Sequence, residues 1–367
     1  MKRNTFLPVF GVLGILVLLT AGVVLYSRGW RLDLSQKGLT QTGMILAKSL
    51  PDGARVFLDG ELAGATDSTI TGLAEGTYHL KIEKEGYSSW EKTVEVEPEL
   101  VTDITAILPP LSPSLTSITQ SGARLVTPAP SGVKAAFIAS GKLYVLPLNS
   151  QFLGFLRTRP QEVASQPADT PFSKATSLAF SPNEDQILVT TPGKTLLFTI
   201  GQTTGQVVSD LDTLKESWEA LRREHRSEVI KDLEVPSELK DTALSAGAYW
   251  APDERKFLYE KSEEGKRQFW VANFSDPLPV GENRNLKILE TEDLNLKLFW
   301  LADSHHFVMV QNNTVSLLDL DGTNRMDIFH GSLSEAIALS STDLAQVIIL
   351  TSFSPNSSPN LYGISLR

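Results

Sequence analysis

Residues 176–200 read TSLAFSPNEDQILVTTPGKTLLFTI. This stretch begins with a short apolar run, which the turn residues Ser181-Pro182-Asn183 bring to an end. A second apolar run, a polar turn and a third apolar run follow. Pro, Asn and Ser favour turns, and apolar runs of this length between turns favour strands. The stretch therefore predicts three short strands in succession.

The same order of elements recurs along the C-terminal part of the chain. Residues 244–274 are the clearest second copy, with Ala251-Pro252-Asp253 at the turn. Weaker copies lie at residues 119–148, 296–320 and 335–366. Units of three or four strands that recur every few tens of residues are typical of β-propellers, in which each blade covers the apolar face of its neighbour. The five copies predict a propeller of five to seven blades over residues 119–367.

The two clear turns, Ser181–Asn183 and Ala251–Asp253, each precede a β-rich run and resemble blades of TolB-like or WD40-like propellers. The resemblance implies a broad end face suited to protein or glycan recognition. Trp250, Trp270 and Trp300 fall in the predicted blade strands, where we expect them to pack between blades. Because aromatic rings also make amphipathic contacts, a platform for glycan stacking is the alternative.

A helical segment interrupts the propeller pattern at residues 211–244. Leu214, Trp218, Leu221, Ile230 and Leu233 recur near helical spacing, and charged residues fill the other positions. This pattern predicts an amphipathic insertion that lies against the propeller. The functional alternative is a docking helix or a lid, because long insertions on a scaffold often carry recognition.

The N-terminal region predicts a membrane anchor. Residues 6–26 are uncharged and almost wholly apolar, long enough as a helix to cross a bilayer. A cleaved signal peptide is the alternative, but "VVLYSRGW" lacks small residues at the cleavage positions. We expect a single-pass protein of the cell membrane with a cytoplasmic tail at residues 1–5, a juxtamembrane segment at 27–42 and extracytoplasmic C-terminal domains. Trp30, just beyond the helix, fits the membrane interface.

Alternating apolar and polar residues after the anchor predict a small module of strands over residues 43–108. Its glycines, its Pro-Asp-Gly-Ala sequence and its Gly-Tyr pair resemble a PEGA domain. The residues that carry the resemblance are Pro51, Asp52, Gly53, Ala54, Asp59, Gly60, Gly64, Gly76, Tyr78, Gly86 and Tyr87. Asp52 replaces the Glu of the family's motif. The resemblance implies a β-sandwich found in bacterial and archaeal surface proteins, with a binding or spacer role and no general catalytic role.

Turn chemistry accounts for the residue types of this motif. Pro51 is expected to begin a strand, where its missing N–H costs nothing, and Asp59-Gly60 is expected to fold a hairpin. Residues 109–118 are rich in Pro and Ser and predict a linker to the propeller. The expected architecture is therefore mainly β: a transmembrane helix, a small β-sandwich and a propeller with a helical insertion.

Composition excludes several classes of protein. The chain has a net charge of −10 and no cysteine. An acidic surface repels the phosphate backbone, so we expect no nucleic-acid partner. Without cysteine, disulfide-stapled folds and thiolate sites are excluded.

No common catalytic motif occurs in the sequence. The nucleophile elbow, the zinc-protease helix, the phosphate-binding loop and the dinucleotide-binding loop are all missing. Asp303, His305 and His306 lie close enough in sequence to suggest a metal site, but neighbouring strand residues point to opposite faces. Solvated turn residues are therefore expected here. We expect no catalytic residues, no metal site and no cofactor.

These observations favour a membrane-anchored extracytoplasmic binding or scaffold protein of a prokaryotic cell envelope, which recognises a protein or glycan partner through the propeller. An envelope hydrolase with its site in the propeller channel is the alternative, since residues gathered from separate blades leave no local motif. A sensor is a third hypothesis, but the short tail before the helix holds no effector domain.

Overall fold

The computed structural model describes residues 6–27, 30–33, 38–149, 159–354 and 357–367. The chain divides into two compact units. Unit 1 comprises residues 1–108 with 279–282, and unit 2 comprises residues 109–278 with 283–367. Strands dominate both units, as the sequence predicts, so the fold is mainly β.

The apolar N-terminal segment is helical. Helix α1 covers Phe6–Ser27, and its large apolar side chains between Val12 and Val24 are 46% to 73% exposed. Within the part of the chain that the structure describes, no helix has both the length and the hydropathy of a membrane span. The helix predicted over residues 6–26 is thus present, and its assignment as a membrane anchor stays a prediction.

Unit 1 contains two four-stranded sheets after α1. One has the order β1-β2-β5, with β8 parallel to β2, and the other has the order β4-β3-β6-β7. The strands are β1 (Trp30–Asp33), β2 (Gly38–Leu50), β3 (Arg55–Leu58), β4 (Glu61–Ala65), β5 (Ser68–Ala74), β6 (Gly76–Glu83), β7 (Trp90–Val96) and β8 (Val101–Ile107). Strands β1 and β2 therefore occupy part of the predicted juxtamembrane segment, residues 27–42.

Alternating side chains of both sheets form the core of unit 1. Ile45 and Ala47 of β2, Leu80 and Ile82 of β6, and Trp90 of β7 are all at most 1% exposed. The residues between them face outward, which is the pattern of a sheet with one buried and one solvated face. The paired sheets agree with the predicted β-sandwich.

Unit 2 consists of twenty strands, two α-helices and one short 3-10 helix (Phe172–Lys174) in its described part. The strands of its first half are β9 (Leu115–Ser117), β10 (Arg124–Pro128), β11 (Lys134–Ala139), β12 (Lys142–Pro147), β13 (Gln161–Ser165), β14 (Ser177–Phe180), β15 (Gln186–Thr191), β16 (Lys194–Thr199) and β17 (Gln206–Val207). Helices α2 (Leu211–Val229) and α3 (Ser237–Leu244) follow. The remaining strands are β18 (Tyr249–Trp250), β19 (Lys256–Glu263), β20 (Lys266–Asn273), β21 (Asn285–Thr291), β22 (Lys297–Trp300), β23 (His306–Gln311), β24 (Thr314–Asp319), β25 (Met326–His330), β26 (Leu333–Ser340), β27 (Gln346–Thr351) and β28 (Asn360–Ser365).

These strands form five four-stranded antiparallel sheets, which we call blades 1 to 5. Blades 1 to 4 are β10–β13, β14–β17, β18–β21 and β22–β25, and blade 5 consists of β26–β28 with β9 as its fourth strand. Each blade contains one of the five sequence copies. The prediction of a linker at residues 109–118 was wrong at Leu115–Ser117, since β9 pairs with β28 there. Strand β9 comes from the N-terminal end of unit 2 and completes blade 5, which is otherwise built from the C-terminal strands. This pairing closes the ring of blades.

Buried clusters join successive blades. Blades 1 and 2 share a cluster that includes Phe172 and Phe198, and blades 1 and 5 share a second cluster that includes Phe137 and Leu350. Blades 3 and 4 share a third, which includes Leu258 and Trp300, and Trp300 Nε1 donates to the Tyr249 carbonyl of blade 3 at 2.9 Å. Trp300 thus packs between blades, as predicted.

The helical insertion lies between blades 2 and 3. Val235 and Ala243 are buried together with Phe257 and Tyr259 of blade 3, on the face of that blade that does not meet blade 4. Helix α2 begins at the N-cap Asp210, whose side chain accepts a hydrogen bond from the Thr213 N–H. The insertion therefore covers a blade face that a neighbouring blade covers elsewhere in the ring.

Candidate functional site

The turn between the first and second strands has the same backbone geometry in all five blades. The N–H of its fourth residue donates to the carbonyl of its first, and the N–H of its first donates to the carbonyl of its sixth. The fourth residue has positive φ in every copy, between 54° and 70°. We call these turns together the turn face; they are residues 129–134, 181–186, 251–256, 301–306 and 341–346.

Hydrogen bonds connect the turns of neighbouring blades. Lys134 Nζ of blade 1 donates to the Glu184 carbonyl of blade 2 at 3.0 Å. The Asp253 N–H of blade 3 donates to Ser304 Oγ of blade 4 at 3.0 Å. The Thr342 N–H of blade 5 donates at 2.9 Å to the carbonyl of Leu148, whose own N–H donates to the Val133 carbonyl of the blade 1 turn. These bonds show that the five turns lie at one end of the propeller.

Helix α2 takes part in the turn face at the junction of blades 2 and 3. His225 Nε2 lies 2.7 Å from Glu254 Oε1 of the blade 3 turn. Both side chains are at least half exposed, so this contact contributes little to stability. The insertion thus reaches the same end of the propeller as the five turns.

An ion pair fixes the turn of blade 3. Lys256, the sixth residue of the turn, is 1% exposed, and its Nζ lies 2.9 Å from Asp253 Oδ2. The other carboxylate oxygen of Asp253 accepts from the Arg255 N–H at 3.0 Å. A buried ammonium needs such a partner, because an unpaired buried charge is strongly destabilising. Asp253 is therefore held in one orientation at the edge of the turn face.

A histidine replaces that lysine in blade 4. His306 is 3% exposed; its Nδ1 lies 2.6 Å from Asp303 Oδ2 and its Nε2 lies 3.5 Å from Asp319 Oδ1. Asn324 donates to the other oxygen of Asp319 at 3.0 Å. Burial on its own raises the pKa of the Asp303 carboxyl, but the charge of His306 and its hydrogen bond outweigh burial and lower that pKa to about 2.

The solvated turn predicted at Asp303, His305 and His306 was therefore only partly right. His305 is exposed, and the two histidines do point to opposite sides, but His306 is buried between two carboxylates. The sixth turn residue begins the second strand, and its side chain is directed into the blade. Sequence reasoning predicted the alternation and missed which of the two residues faces inward.

The geometry around His306 does not suit catalysis or metal binding. Both ring nitrogens face carboxylates and the ring is buried, so neither nitrogen is available to a substrate. Across the described residues, no group of three or more His, Asp or Glu side chains is arranged to hold a metal ion. We interpret His306 as a residue that positions the turn.

A cleft of about 290 Å³ opens between blades 1 and 5. Arg159, Asp343 and Gln346 contribute polar groups to its lining, and Leu146 and Ile348 contribute apolar ones. Arg367 Nη2 lies 2.8 Å from Asp343 Oδ2, so the carboxylate is already paired. The cleft is slightly smaller than the usual range for small-molecule sites, roughly 300–1,000 Å³.

The motif residues of unit 1 serve turns. Asp59 and Gly60 join β3 to β4 with φ of 50° and 87°, as a two-residue type I′ hairpin requires. One Asp59 carboxylate oxygen accepts from the His79 N–H at 2.9 Å, which ties the hairpin to β6. Asp at the first turn position is thus explained by both its tolerance of positive φ and its acceptor.

Pro51 to Ala54 form the connection between β2 and β3. The Gly53 N–H donates to the Thr66 carbonyl at 3.1 Å with Gly53 at a φ of 68°, and the Ala54 N–H donates to Thr66 Oγ1 at 2.9 Å. Pro51 lies in this turn and not at the first position of a strand, since β3 begins at Arg55. The prediction for Pro51 was wrong because the Gly-Ala pair is needed for the turn itself.

The rest of the motif has similar roles. Tyr78 Oη donates to the Ala74 carbonyl at 2.9 Å, and Gly86 has a φ of 84° in the turn where the Tyr87 N–H donates to the Lys84 carbonyl. Gly64 lies in β4 and Gly76 at the start of β6. In the turn at residues 51–54, Asp52 contributes its backbone carbonyl and not its carboxylate: the carbonyl accepts a hydrogen bond from Lys84 Nζ. The motif therefore specifies local backbone geometry.

Comparisons with known proteins agree with this division of the chain. Residues 42–112 match the family model described as PEGA domain. A search of the curated proteins found no match.

Solved propeller structures resemble the chain at low identity. A putative TolB from Agrobacterium tumefaciens is 10% identical with a TM-score of 0.25, and the match covers 65% of this chain and 76% of that one. TolB from Acinetobacter baumannii is 10% identical with a TM-score of 0.24, covering 79% and 66%. The Cps50 (Swd1) β-propeller domain of Myceliophteria thermophila is 9% identical with a TM-score of 0.33, covering 69% and 99%. At these TM-scores the similarities carry no argument about function.

Proposed function

We propose that the protein is a membrane-anchored binding or scaffold protein of a prokaryotic cell envelope, and that it recognises a protein partner through the turn face. The observation that carries the proposal is the repeated turn: five turns share one backbone geometry, and buried ion pairs fix the turns of blades 3 and 4. A surface held rigid in this way loses little conformational entropy on binding.

The turn face presents polar and charged groups that suit a protein partner. Asp185, Glu254, Arg255 and His305 are exposed there. Charged groups of this kind steer association and fix the register of a protein interface. The proposal includes no catalytic step, since both nitrogens of His306 are engaged.

The tryptophans do not favour a glycan platform. Trp300 is buried between blades 3 and 4. Trp250 packs in the cluster with α3 and donates to the Ala243 carbonyl at 3.1 Å, and Lys261 Nζ lies 4.6 Å from the Trp270 ring centroid. Because these rings already have neighbours, we propose a protein and not a glycan as the partner.

The proposed anchor is α1. Its 22 residues include no charged side chain, and a helix of that length extends about 33 Å, close to the thickness of the hydrocarbon core. The large apolar side chains between Val12 and Val24 are 46% to 73% exposed. We propose a single-pass orientation with residues 1–5 cytoplasmic and residues beyond the helix extracytoplasmic. Alkaline extraction of membranes tests the anchor: retention in the pellet supports it, and release contradicts it.

A matched pair of charge reversals tests the partner. Glu254 lies on the turn face, and Glu264 lies in the turn between β19 and β20 at the opposite end of the same blade. Both residues are exposed and both have positive φ, 54° and 50°. The full chain and its E254K and E264K variants serve as bait in detergent extracts of native envelopes.

We expect one stoichiometric protein that the unmodified chain and E264K retain and that E254K loses. The proposal is wrong if no protein is retained at physiological salt, or if both variants retain the same protein equally well.

A further inference from the structure

Strand β5 is an open edge of a sheet in unit 1. Within the described chain its only hydrogen-bonded neighbour is β2, and none of its seven residues, Ser68–Ala74, is buried. Thr69, Thr71 and Gly72 are exposed. An edge strand presents a row of backbone N–H and C=O groups to which another strand can pair. The outer edge of β5 is therefore accessible to a further strand.

The register of β2 shows which backbone groups of β5 face outward. The Met44 N–H donates to the Leu100 carbonyl at 3.2 Å, on the β8 side of β2. Met44 is the partner of Thr71 in the β2–β5 pair, so its backbone groups point away from β5. In such a non-hydrogen-bonded antiparallel pair, the groups of the facing residue point away too. The N–H and C=O of Thr71 thus face outward, and so do those of Thr69, because the direction alternates along the strand.

The outward groups of β5 have no partner among the residues that the structure describes. The strand also lacks charged residues and proline, which on an edge oppose pairing with a second strand. Every other described edge strand of five or more residues contains a charged residue; these strands are β4, β7, β8, β10, β13, β21, β25 and β26. The edge of β5 is therefore the one that carries nothing to oppose pairing in the described chain.

The edge of β5 is complementary to itself. When two copies pair antiparallel about Ile70, Thr69 of each copy lies opposite Thr71 of the other. The outward groups of these residues then form hydrogen-bonded pairs, each of which exchanges two backbone hydrogen bonds. Threonine pairs across strands are favourable, and like charges directly opposite each other are not. The flanking Asp67 and Glu75 are out of register with each other here, so no like charges face.

We infer that β5 pairs with β5 of a second copy of the chain, so that unit 1 forms a two-fold symmetric dimer. An isologous contact of this kind uses the same surface on both copies. Two strands of seven residues cover less area than a standard protein interface of about 1,600 Å², so the dimer is reversible and depends on concentration. The inference concerns unit 1 and goes beyond the partner of the turn face.

Single cysteines can trap the dimer, because the chain has no cysteine of its own. In the proposed register Ile70 faces its own copy in a non-hydrogen-bonded pair, where Cα atoms lie about 4.5 Å apart, within the range of a disulfide. The two copies of Thr69 are diagonal neighbours at about 7–8 Å, beyond that range, and the same holds for Thr71. Thr69 and Thr71 of different copies face each other at about 5.5 Å.

The full-length variants I70C, T69C and T71C are purified in detergent and oxidised, and the disulfide-linked dimer is measured on non-reducing gels. We expect I70C to give a yield at least about fivefold higher than T69C or T71C alone, because only its Cα separation suits the bond. An equimolar mixture of T69C and T71C should also exceed either variant alone by about fivefold.

Charge variants of the same edge give an independent test. In the I70C background, T69K with T71K brings lysine opposite lysine, and T69E with T71E brings glutamate opposite glutamate. Each of these chains alone should crosslink about tenfold less than I70C, since like charges that face each other destabilise a strand pair. An equimolar mixture brings lysine opposite glutamate and should recover the yield of I70C, with the mass of the mixed dimer.

The inference is overturned if no dimer is trapped, or if the three single-cysteine variants crosslink equally, as chance sharing of a micelle would produce. It is also overturned if the lysine and glutamate chains crosslink no better together than apart. Because Ile70 is half-buried, the mixture of T69C and T71C, both at exposed positions, decides the matter should I70C fail to fold. The charge reversals on the turn face report separately on the proposed function.

Discussion

Asp303→Asn is the change whose effect can be worked out most directly from the structure. His306 and its hydrogen bond lower the pKa of the Asp303 carboxyl from 3.8 to about 2. Each pKa unit corresponds to about 1.4 kcal/mol, so the ionised carboxylate contributes on the order of 2 kcal/mol to the free energy of unfolding at neutral pH. The side chain of Asp303 is 15% exposed, so solvent screening reduces this value little.

The direction of the pH dependence follows from the sign of the shift. A carboxyl whose pKa is lowered on folding contributes its full stability above the unfolded-state pKa, and that stability is lost as pH falls through the folded-state pKa. The free-energy difference between the unmodified chain and D303N should therefore be present from neutral pH down to about 4. It should shrink between about 4 and 2.

The assay is urea unfolding of the full chain followed by tryptophan fluorescence, repeated between pH 7 and pH 2. Asp343→Asn is the matched control, because Asp343 occupies the same turn position in blade 5 and its partner Arg367 is 44% exposed. We expect D343N to cost less than about 1 kcal/mol at every pH. The reasoning is refuted if D303N is as stable as the unmodified chain at neutral pH, or if its deficit is unchanged at pH 2.

Three further predictions concern packing, a turn and ring closure. Trp218→Ala should lower the free energy of unfolding by about 3 kcal/mol in the same urea titration. This value is at the low end for a buried aromatic residue, because Trp218 lines a surface groove between α2 and blade 2. Leu221 is 41% exposed, so Leu221→Ala should change the free energy of unfolding by less than about 1 kcal/mol. Gly60→Ala should lower the free energy of unfolding by about 1–2 kcal/mol, because Gly60 has a φ of 87°. Gly64→Ala should lower it less, since an added Cβ would lie 3.5 Å from Ser68 Oγ, an ordinary contact distance. Equal shifts of the two melting temperatures in calorimetry would contradict this prediction. Thr116→Pro removes a backbone N–H from β9 and should expose the edge of β28. We expect the variant to aggregate faster than the unmodified chain in a light-scattering assay. An unchanged aggregation rate would show that β9 is dispensable for covering this edge.

The blades could be predicted from sequence because their turns contain residue types that favour turn conformations. Pro182 and Asn183 in blade 2 and Pro252 and Asp253 in blade 3 restrict the backbone locally, so a reader of the sequence sees the turn and the strands on either side. The helical insertion was visible for the same kind of reason, since its apolar residues recur at helical spacing. Local chemistry was sufficient wherever the structure depends on neighbours along the chain.

The features that sequence reasoning missed depend on distant residues. Leu115–Ser117 form a strand only because β28 lies beside them. The Ser- and Pro-rich composition of this segment does not predict the pairing. His306 is buried between Asp303 and Asp319, and Asp319 lies at the end of β24, beyond the strand that follows the turn. No local pattern distinguishes His306 from an ordinary surface His.

The pairing of β9 with β28 also sets the order of events during synthesis. Because β9 leaves the ribosome before every other strand of unit 2 and β28 leaves after them, blade 5 stays incomplete until the whole unit has been made. Contacts of such long sequence separation form slowly, and an unpaired strand edge is prone to aggregation while it waits. If translation stops before β28 is made, the chain would contain four complete blades and an incomplete fifth. Proteases can recognise such a partly folded state.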